Sequence, residues 1–278
     1  MKKILALILA AVLCTIALVS CGAADANTIT VAASSTPHAE ILEQCKPLLE
    51  EQGYTLVIRV MSDYITPNTA TDSGDVDANY FQHQPYLDSF NAENGTKLNT
   101  VVKVHYEPLG IYAGTVSSLD ALTDGAIVTI PNDPTNGARA LLLLEANGLI
   151  TLKEGVGINA TVNDITEKAI DIEFYEIEAA QLPRVRMDVA MAVINGNYAI
   201  ESGLSMNDAL FVERTDDEVG IAYTNYIVVR PEDAEAEWVE VLREVICSEE
   251  VANYINTNEE YAGGVIPSFT VETAEAAE

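Results

Sequence analysis

The stretch "TITVAASSTPHAEILEQCKPLLEEQGYTLVIRVM", residues 28–61, decides the architecture. Its first seven residues mix β-branched and small side chains, which suits a buried strand. "STPHAEILEQCKPLLEEQG" then spaces its apolar residues by threes and fours. Thr36 is the expected cap, Pro37 takes the first helical position and Gly53 is the stop. "YTLVIRVM" is again strand-like. Strand, helix and strand in succession form a βαβ unit, which implies α/β architecture with mostly parallel strands.

Working outward, the loop "SDYITPN" (62–68) leads to a short helix and a third strand around "DVDANYF" (75–81). "VVKVHYEPLGIYAG" (101–114) is a long strand-like segment broken at Pro108-Leu109-Gly110, as suits a chain passing between lobes. A second α/β series follows: helix 117–125, strand 126–131, helix 134–148, strand 170–178, a turn at 179–188, strand 189–194 and helix 197–203. A further long strand covers 220–233, and 236–255 supplies the last helices. Taking the two long strands as crossings gives one lobe from 28–111 and 227–270, another from 112–226, a cleft between them and a frayed tail at 271–278.

Ahead of this domain, "MKKILALILAAVLCTIALVSC" has two lysines, an apolar run and a terminal cysteine. The run is too short for a membrane span and no stop-transfer charges follow, so residues 1–20 read as a secretory signal. "LVSC" resembles the lipobox of bacterial lipoproteins, which implies cleavage before Cys21, a lipid thioether on its sulfur and a short tether over 21–27. With Cys14 in the leader and Cys21 acylated, Cys45 and Cys247 remain. Two cysteines permit a disulfide but make no framework, and buried free thiols on helices are the expectation.

The chain has 43 acidic residues against 14 basic, a net charge of −29. Such a surface repels nucleic acid and anionic headgroups, leaving a lipid anchor as the expected tie to a membrane.

Against this acidic background two runs stand out. In "IPNDPTNGARALLLLEANG" (130–148), Asp133 and Pro134 mark a helix start, and Arg139 falls on the leucine side one turn in. An arginine there needs an anion. A ligand carboxylate held by two parallel hydrogen bonds would serve, and so would an internal Asp or Glu. In "DANYFQHQPYLDSFN" (77–91), Phe81, His83 and Tyr86 sit at a strand-to-helix junction, where open α/β sheets place their ligands. They suit a pocket for an apolar guest or, equally, a core with one satisfied histidine. Asn195, at a strand end, and Asn225, inside the strand pattern "YTNYI", offer donors and acceptors, with a turn or bulge as the plainer role.

"ASSTPHAEIL", "DANYFQHQPYLD", "IPNDPTNGARALLLL", "EAAQLPR", "AVINGNYA" and "GGVIPSF" occur in an order that resembles the methionine-binding lipoproteins of the NlpA family, the extracytoplasmic receptors of methionine ABC importers. The resemblance runs from about Thr28 to Phe269. It implies a two-lobed, type II periplasmic-binding-protein-like fold with two interlobe crossing strands. It also implies a monomer on the outer face of the cell membrane that takes L-methionine or a close analogue to a permease and uses no cofactor. By the same resemblance Arg139 would hold the ligand carboxylate, Asn195 and Asn225 would bond its carboxylate and ammonium ends, and Tyr64, Phe81, His83 and Tyr86 would enclose the thioether.

Other functions lack their residues. A metal receptor needs ligands converging from both lobes, yet His38, His83 and His105 all precede the second. A hydrolase with a nucleophile elbow needs G-x-S-x-G, which does not occur. The same fold with another small amino acid or a methionine dipeptide as guest is the remaining alternative.

Overall fold

A computed structural model describes residues 27–214 and 222–271. The signal peptide, Cys21, nearly all of the tether and the tail beyond 271 lie outside the described residues.

The first sheet begins as the sequence suggests. β1 (Thr28–Ala33) pairs in parallel with β2 (Thr55–Val60) and with β3 (Ala78–His83). Helices α1 (Glu40–Glu51), α2 (Thr66–Ser73) and α3 (Gln84–Asn94) follow these strands, and β4 (Asn99–Tyr106) comes next. Thr36 does not cap a helix. It is extended, the Thr36–Pro37 peptide is cis, and a tight turn over Ser35–Ala39 precedes α1. The Thr36 hydroxyl donates to Glu40 Oε1 instead of accepting a backbone N–H.

The second sheet contains β5 (Gly110–Ala113), β6 (Ile127–Pro131), β9 (Glu173–Ile177), β10 (Met191–Ile194) and β11 (Ala209–Val212) in the order β11-β5-β10-β6-β9. Between β6 and β9 lie α4 (Pro134–Ala146) and a small hairpin, β7 (Ile150–Leu152) with β8 (Ile165–Lys168). Short helices α5 (Leu182–Val185) and α6 (Gly196–Glu201) flank β10. The chain then returns: β12 (Thr224–Val229), α7 (Glu237–Ile246), α8 (Glu249–Thr257) and β13 (Ile266–Pro267) complete the first lobe. Its full order is β13-β4-β12-β3-β1-β2.

Three expectations change. The 101–114 segment is two strands, one in each sheet, separated by Glu107-Pro108-Leu109. The sheets therefore change hands a few residues away from 111/112 and 226/227: Gly110 already pairs in the second sheet and Thr224 in the first. Nor are the strands mostly parallel: among the described residues antiparallel pairings outnumber parallel ones. β12 is antiparallel to both β3 and β4, and β5 to both β10 and β11, since a strand arriving from the other lobe enters from the opposite end. The helix expected over 117–125 is a single 3₁₀ turn, Leu119–Ala121, with none of its residues buried.

Each lobe has its own apolar core. In the first, Ile41, Leu42 and Leu49 of α1 pack with Val239, Leu242 and Ile246 of α7 on the sheet. In the second, Leu141 and Leu144 of α4 pack on Val128, Ile130 and Val193. Cys45 is a free, buried thiol on α1, while Cys247 is free, half-buried and just past α7. Among the described residues no helix is long and apolar enough to cross a membrane.

Candidate functional site

A small, largely closed cavity lies between the lobes, lined by Tyr64, Phe81, Gln82, His83, Tyr86, Glu107, Asn136, Arg139, Asn195, Gly196, Asn197 and Asn225. All seven residues singled out from the sequence, Tyr64, Phe81, His83, Tyr86, Arg139, Asn195 and Asn225, face it. Sequence reasoning gave no role to Glu107, Gln82, Gly196 or Asn197, and it assigned no contact to Asn136.

The aromatic wall follows from local structure. Phe81 and His83 are two residues apart on β3 and so share a face. His83 is also the N-cap of α3, with Nδ1 accepting the Tyr86 backbone N–H at 3.2 Å. Tyr64 stands over this wall, its ring centroid 5.6 Å from Phe81 and 5.7 Å from Tyr86. The Tyr86 hydroxyl donates to the Tyr64 carbonyl.

The polar wall can be read bond by bond. Because His83 Nδ1 is an acceptor, its Nε2–H donates, and it does so to Asn136 Oδ1 in the other lobe at 3.2 Å. Asn195 Nδ2 donates to that same oxygen at 2.9 Å, and Asn136 Nδ2 donates to Asp133. Asn136 is thus fully occupied in joining His83 to Asn195. Asn195 Oδ1 is left as a buried acceptor with no partner among the described residues. Asn197 is the mirror image. Its Oδ1 accepts from the Tyr64 hydroxyl at 2.6 Å, and Nδ2 is a buried donor without a partner among the described residues. Asn225 Oδ1 accepts from His38 Nε2 at 3.1 Å, so the amide offers Nδ2.

Arg139 does have an internal partner. Nε donates to Glu213 Oε1 at 2.8 Å, and Nη2 donates to Glu213 Oε2 and, at 2.7 Å, to the Glu107 carbonyl. Tyr223 lies against the guanidinium, 4.4 Å from ring centroid to Cζ. Burial disfavours the Arg139 charge, but Glu213 more than offsets it and holds the guanidinium above its ordinary pKa. Among the described residues the hydrogen bonds of Arg139 use Nε and Nη2, and none uses Nη1. His83 sits at about 3, lowered by burial and then by the Arg139 charge, and its role as a neutral donor is fixed accordingly.

Behind the cavity is a polar cluster that the sequence did not announce. His38, His105 and Glu107 are all buried, with ligand-type atoms within 4.8 Å of one another. His105 Nε2 donates to Glu107 Oε1 at 2.7 Å, and its Nδ1 accepts the Tyr80 hydroxyl. His38 Nε2 is 3.4 Å from the same carboxylate oxygen. Burial lowers His38 to about 4 and His105 to about 3, and raises Glu107 to about 7. Two of the three histidines therefore meet in one lobe with a glutamate from the crossing, a convergence that sequence separation concealed.

Comparison with known proteins places this arrangement. Over 261 residues the chain is 38% identical to the D-methionine-binding lipoprotein MetQ of Escherichia coli K12, covering 92% of this chain and 94% of that one. Its fold matches a nutrient-binding protein of Burkholderia cenocepacia bound to methionine, with a TM-score of 0.82, 40% identity and coverage of 87% and 100%. A periplasmic substrate-binding protein of an ABC transporter from Coxiella burnetii matches with a TM-score of 0.80, 37% identity and coverage of 86% and 100%. Residues 29–269 match the family model described as NlpA lipoprotein, and with a two-lobed fold shared along nearly its whole described length, the chain belongs to the NlpA lipoprotein family.

Proposed function

We propose that the protein is a lipid-anchored, extracytoplasmic receptor that captures methionine and passes it to the permease of an ABC importer. The observation that carries this is the pairing of an aromatic wall with unspent polar groups of both kinds. Asn197 Nδ2 and Asn225 Nδ2 offer donors beside Arg139, and Asn195 Oδ1 offers an acceptor. A zwitterionic amino acid needs both, and each such group is costly to bury unmet. In this reading Arg139 and the two amide nitrogens take the carboxylate, Asn195 takes the ammonium, and Tyr64, Phe81, His83 and Tyr86 surround the thioether. The names of the relatives, methionine-binding lipoproteins and an ABC-transporter binding protein, point the same way.

The protein acts as a monomer, anchored at Cys21. Its two lobes close on the ligand about the crossing at Glu107-Pro108-Leu109. A ligand touching both lobes favours closure by its differential affinity for the closed form. Native mass spectrometry of freshly purified protein, followed by calorimetry with L-methionine, D-methionine and alanine, tests the reading. Retention of one methionine, with either enantiomer bound far more tightly than alanine, is the expected result. Equal affinity for alanine and methionine rejects it.

A further inference from the structure

We propose that Glu107 is the anionic anchor for the α-ammonium group of the bound amino acid, with His105 and His38 as positioning residues behind it. This rests on the reading of the cavity as an amino-acid site. Glu107 is the one acidic side chain among the residues lining the cavity. Its two oxygens have different surroundings. Oε1 is taken by the His105 Nε2–H and faces His38. Oε2 lies beside Gly196, where an added Cβ would stand 2.9 Å from it and 2.8 Å from the Glu107 Cβ. Gly196 carries no side chain, so that position places nothing against this oxygen.

Among the described residues the carboxylate also lacks a dedicated cation. The charge of Arg139 acts on it, yet that guanidinium is already paired with Glu213 and hydrogen-bonds Glu107 only at the backbone carbonyl. The groups that face Glu107 from the packed elements are otherwise neutral: His38 before α1, His105 on β4, Tyr80 on β3, Tyr64 in the loop after β2, and the Asn197 N–H at the start of α6. Burial holds both histidines uncharged near neutral pH. Tyr80 fixes His105 in the tautomer that donates to Glu107, whereas His38 gives its Nε2–H to Asn225 and lies alongside the carboxylate as a neutral neighbour. The result is a carboxylate oriented on one side and unmatched in charge on the other. An ammonium group supplies that charge, together with N–H donors for Oε2.

Proton linkage follows. Burial raises Glu107 to about 7, so near neutrality the free site is partly protonated. An ammonium beside it favours the ionised form. Binding then releases a proton, and affinity rises as pH rises through 7.

Calorimetry of the full chain with L-methionine and with 4-(methylthio)butanoate, which is methionine without its amino group, tests the proposal. Titrations near neutral pH in two buffers of different ionisation enthalpy count the protons. Wild type should release a fraction of a proton with methionine and none with the des-amino acid. Glu107→Gln, an isosteric change, should weaken methionine by about 30-fold, the lower end for a broken buried charge pair, and leave the des-amino acid unchanged. Proton release should disappear with it. His105→Leu should move the midpoint of the affinity-versus-pH curve upward, because the ionised carboxylate loses a donor. Methionine affinity that survives Glu107→Gln, equal losses for both compounds, or absence of proton release in the wild type overturns the inference alone. A wild type that binds neither compound overturns the functional reading and this inference with it.

Discussion

Tyr64 and Asn197 belong to different lobes, and the hydroxyl of one donates to Oδ1 of the other across 2.6 Å. A second bond runs alongside, from the Tyr198 hydroxyl to the Ser62 carbonyl, and the Tyr64 and Tyr198 rings lie 4.9 Å apart. These contacts exist only when the lobes meet. Tyr64→Phe keeps the ring and removes the bond, so it should weaken methionine by about 1 kcal/mol, roughly fivefold. It should also reduce the ligand-induced compaction seen by small-angle X-ray scattering. Unchanged affinity and compaction would show that the bond has no part in closure.

Arg139 carries two duties, and they separate by mutation. Arg139→Ala leaves Glu213 buried without a counter-charge, a loss of about 3–5 kcal/mol by analogy with broken buried pairs. Both the melting temperature of the ligand-free protein and methionine affinity should fall. Arg139→Ala with Glu213→Gln should recover stability without recovering affinity. Methioninamide, which lacks the carboxylate charge, should bind poorly to the wild type. If the single variant still takes up methionine normally, the arginine serves Glu213 alone.

Phe81 lies in a small buried cluster with Tyr86 and Phe90, with Tyr64 packed against it. Burial of a methionine side chain contributes about 2–3 kcal/mol. Phe81→Ala should therefore lower methionine affinity by one to two decades, while any alanine binding changes little. Parallel losses for both ligands would assign Phe81 to the fold.

The buried titrating groups set a pH window for stability. His38, His83 and His105 are held at about 4, about 3 and about 3 by burial. An unfolded imidazole titrates near 6.5. Below that value the unfolded chain binds protons that the fold refuses, so stability falls with pH. Glu107, raised to about 7, works in reverse and adds stability as pH drops from 7 towards 4.5. From these four groups the unfolded chain holds an excess of about two protons near pH 5, a contribution to the slope of about 2.7 kcal/mol per pH unit. Urea unfolding across pH 5 to 7 measures it. A flat profile would mean that the histidines titrate in the fold.

The anchor is open to a direct test. Cys21→Ser should abolish fatty-acid labelling and membrane retention without altering methionine affinity of the purified chain. Continued labelling of the variant would place the acyl group elsewhere.

Much of this was readable in the residues, and what was missed has physical reasons. Pro108 and Gly110 marked the break between the lobes, since a proline cannot donate to a ladder. The β7–β8 hairpin escaped notice because β8 has the polar sequence "ITEK" and β7 only three residues. Residues 117–125 looked helical through Leu119 and Leu122, but three apolar side chains in the stretch around them cannot cover a helix face. In the site, Arg139 and the aromatic run were conspicuous against an acidic chain. Glu107 was hidden for the opposite reason: one glutamate among so many carries no signal unless its setting between "VHY" and "PLG", apolar and strand-like, is weighed. Asn197 was hidden too, because its role depends on Tyr64, which is 133 positions away.

β12 lies between β3 and β4, bonded to both, although it follows them by more than a hundred residues. During synthesis the amino-terminal part of the protein therefore emerges with two strand edges and no central strand to join them. The edge of β3 and that of β4 stay unpaired until β12 arrives, and so distant a pairing delays folding. Ribosomes finish nearly the entire polypeptide before its first lobe can close. For the exported protein proposed above, which would cross a translocon unfolded, that delay is an advantage, because its own connectivity keeps it slack until the last quarter is made.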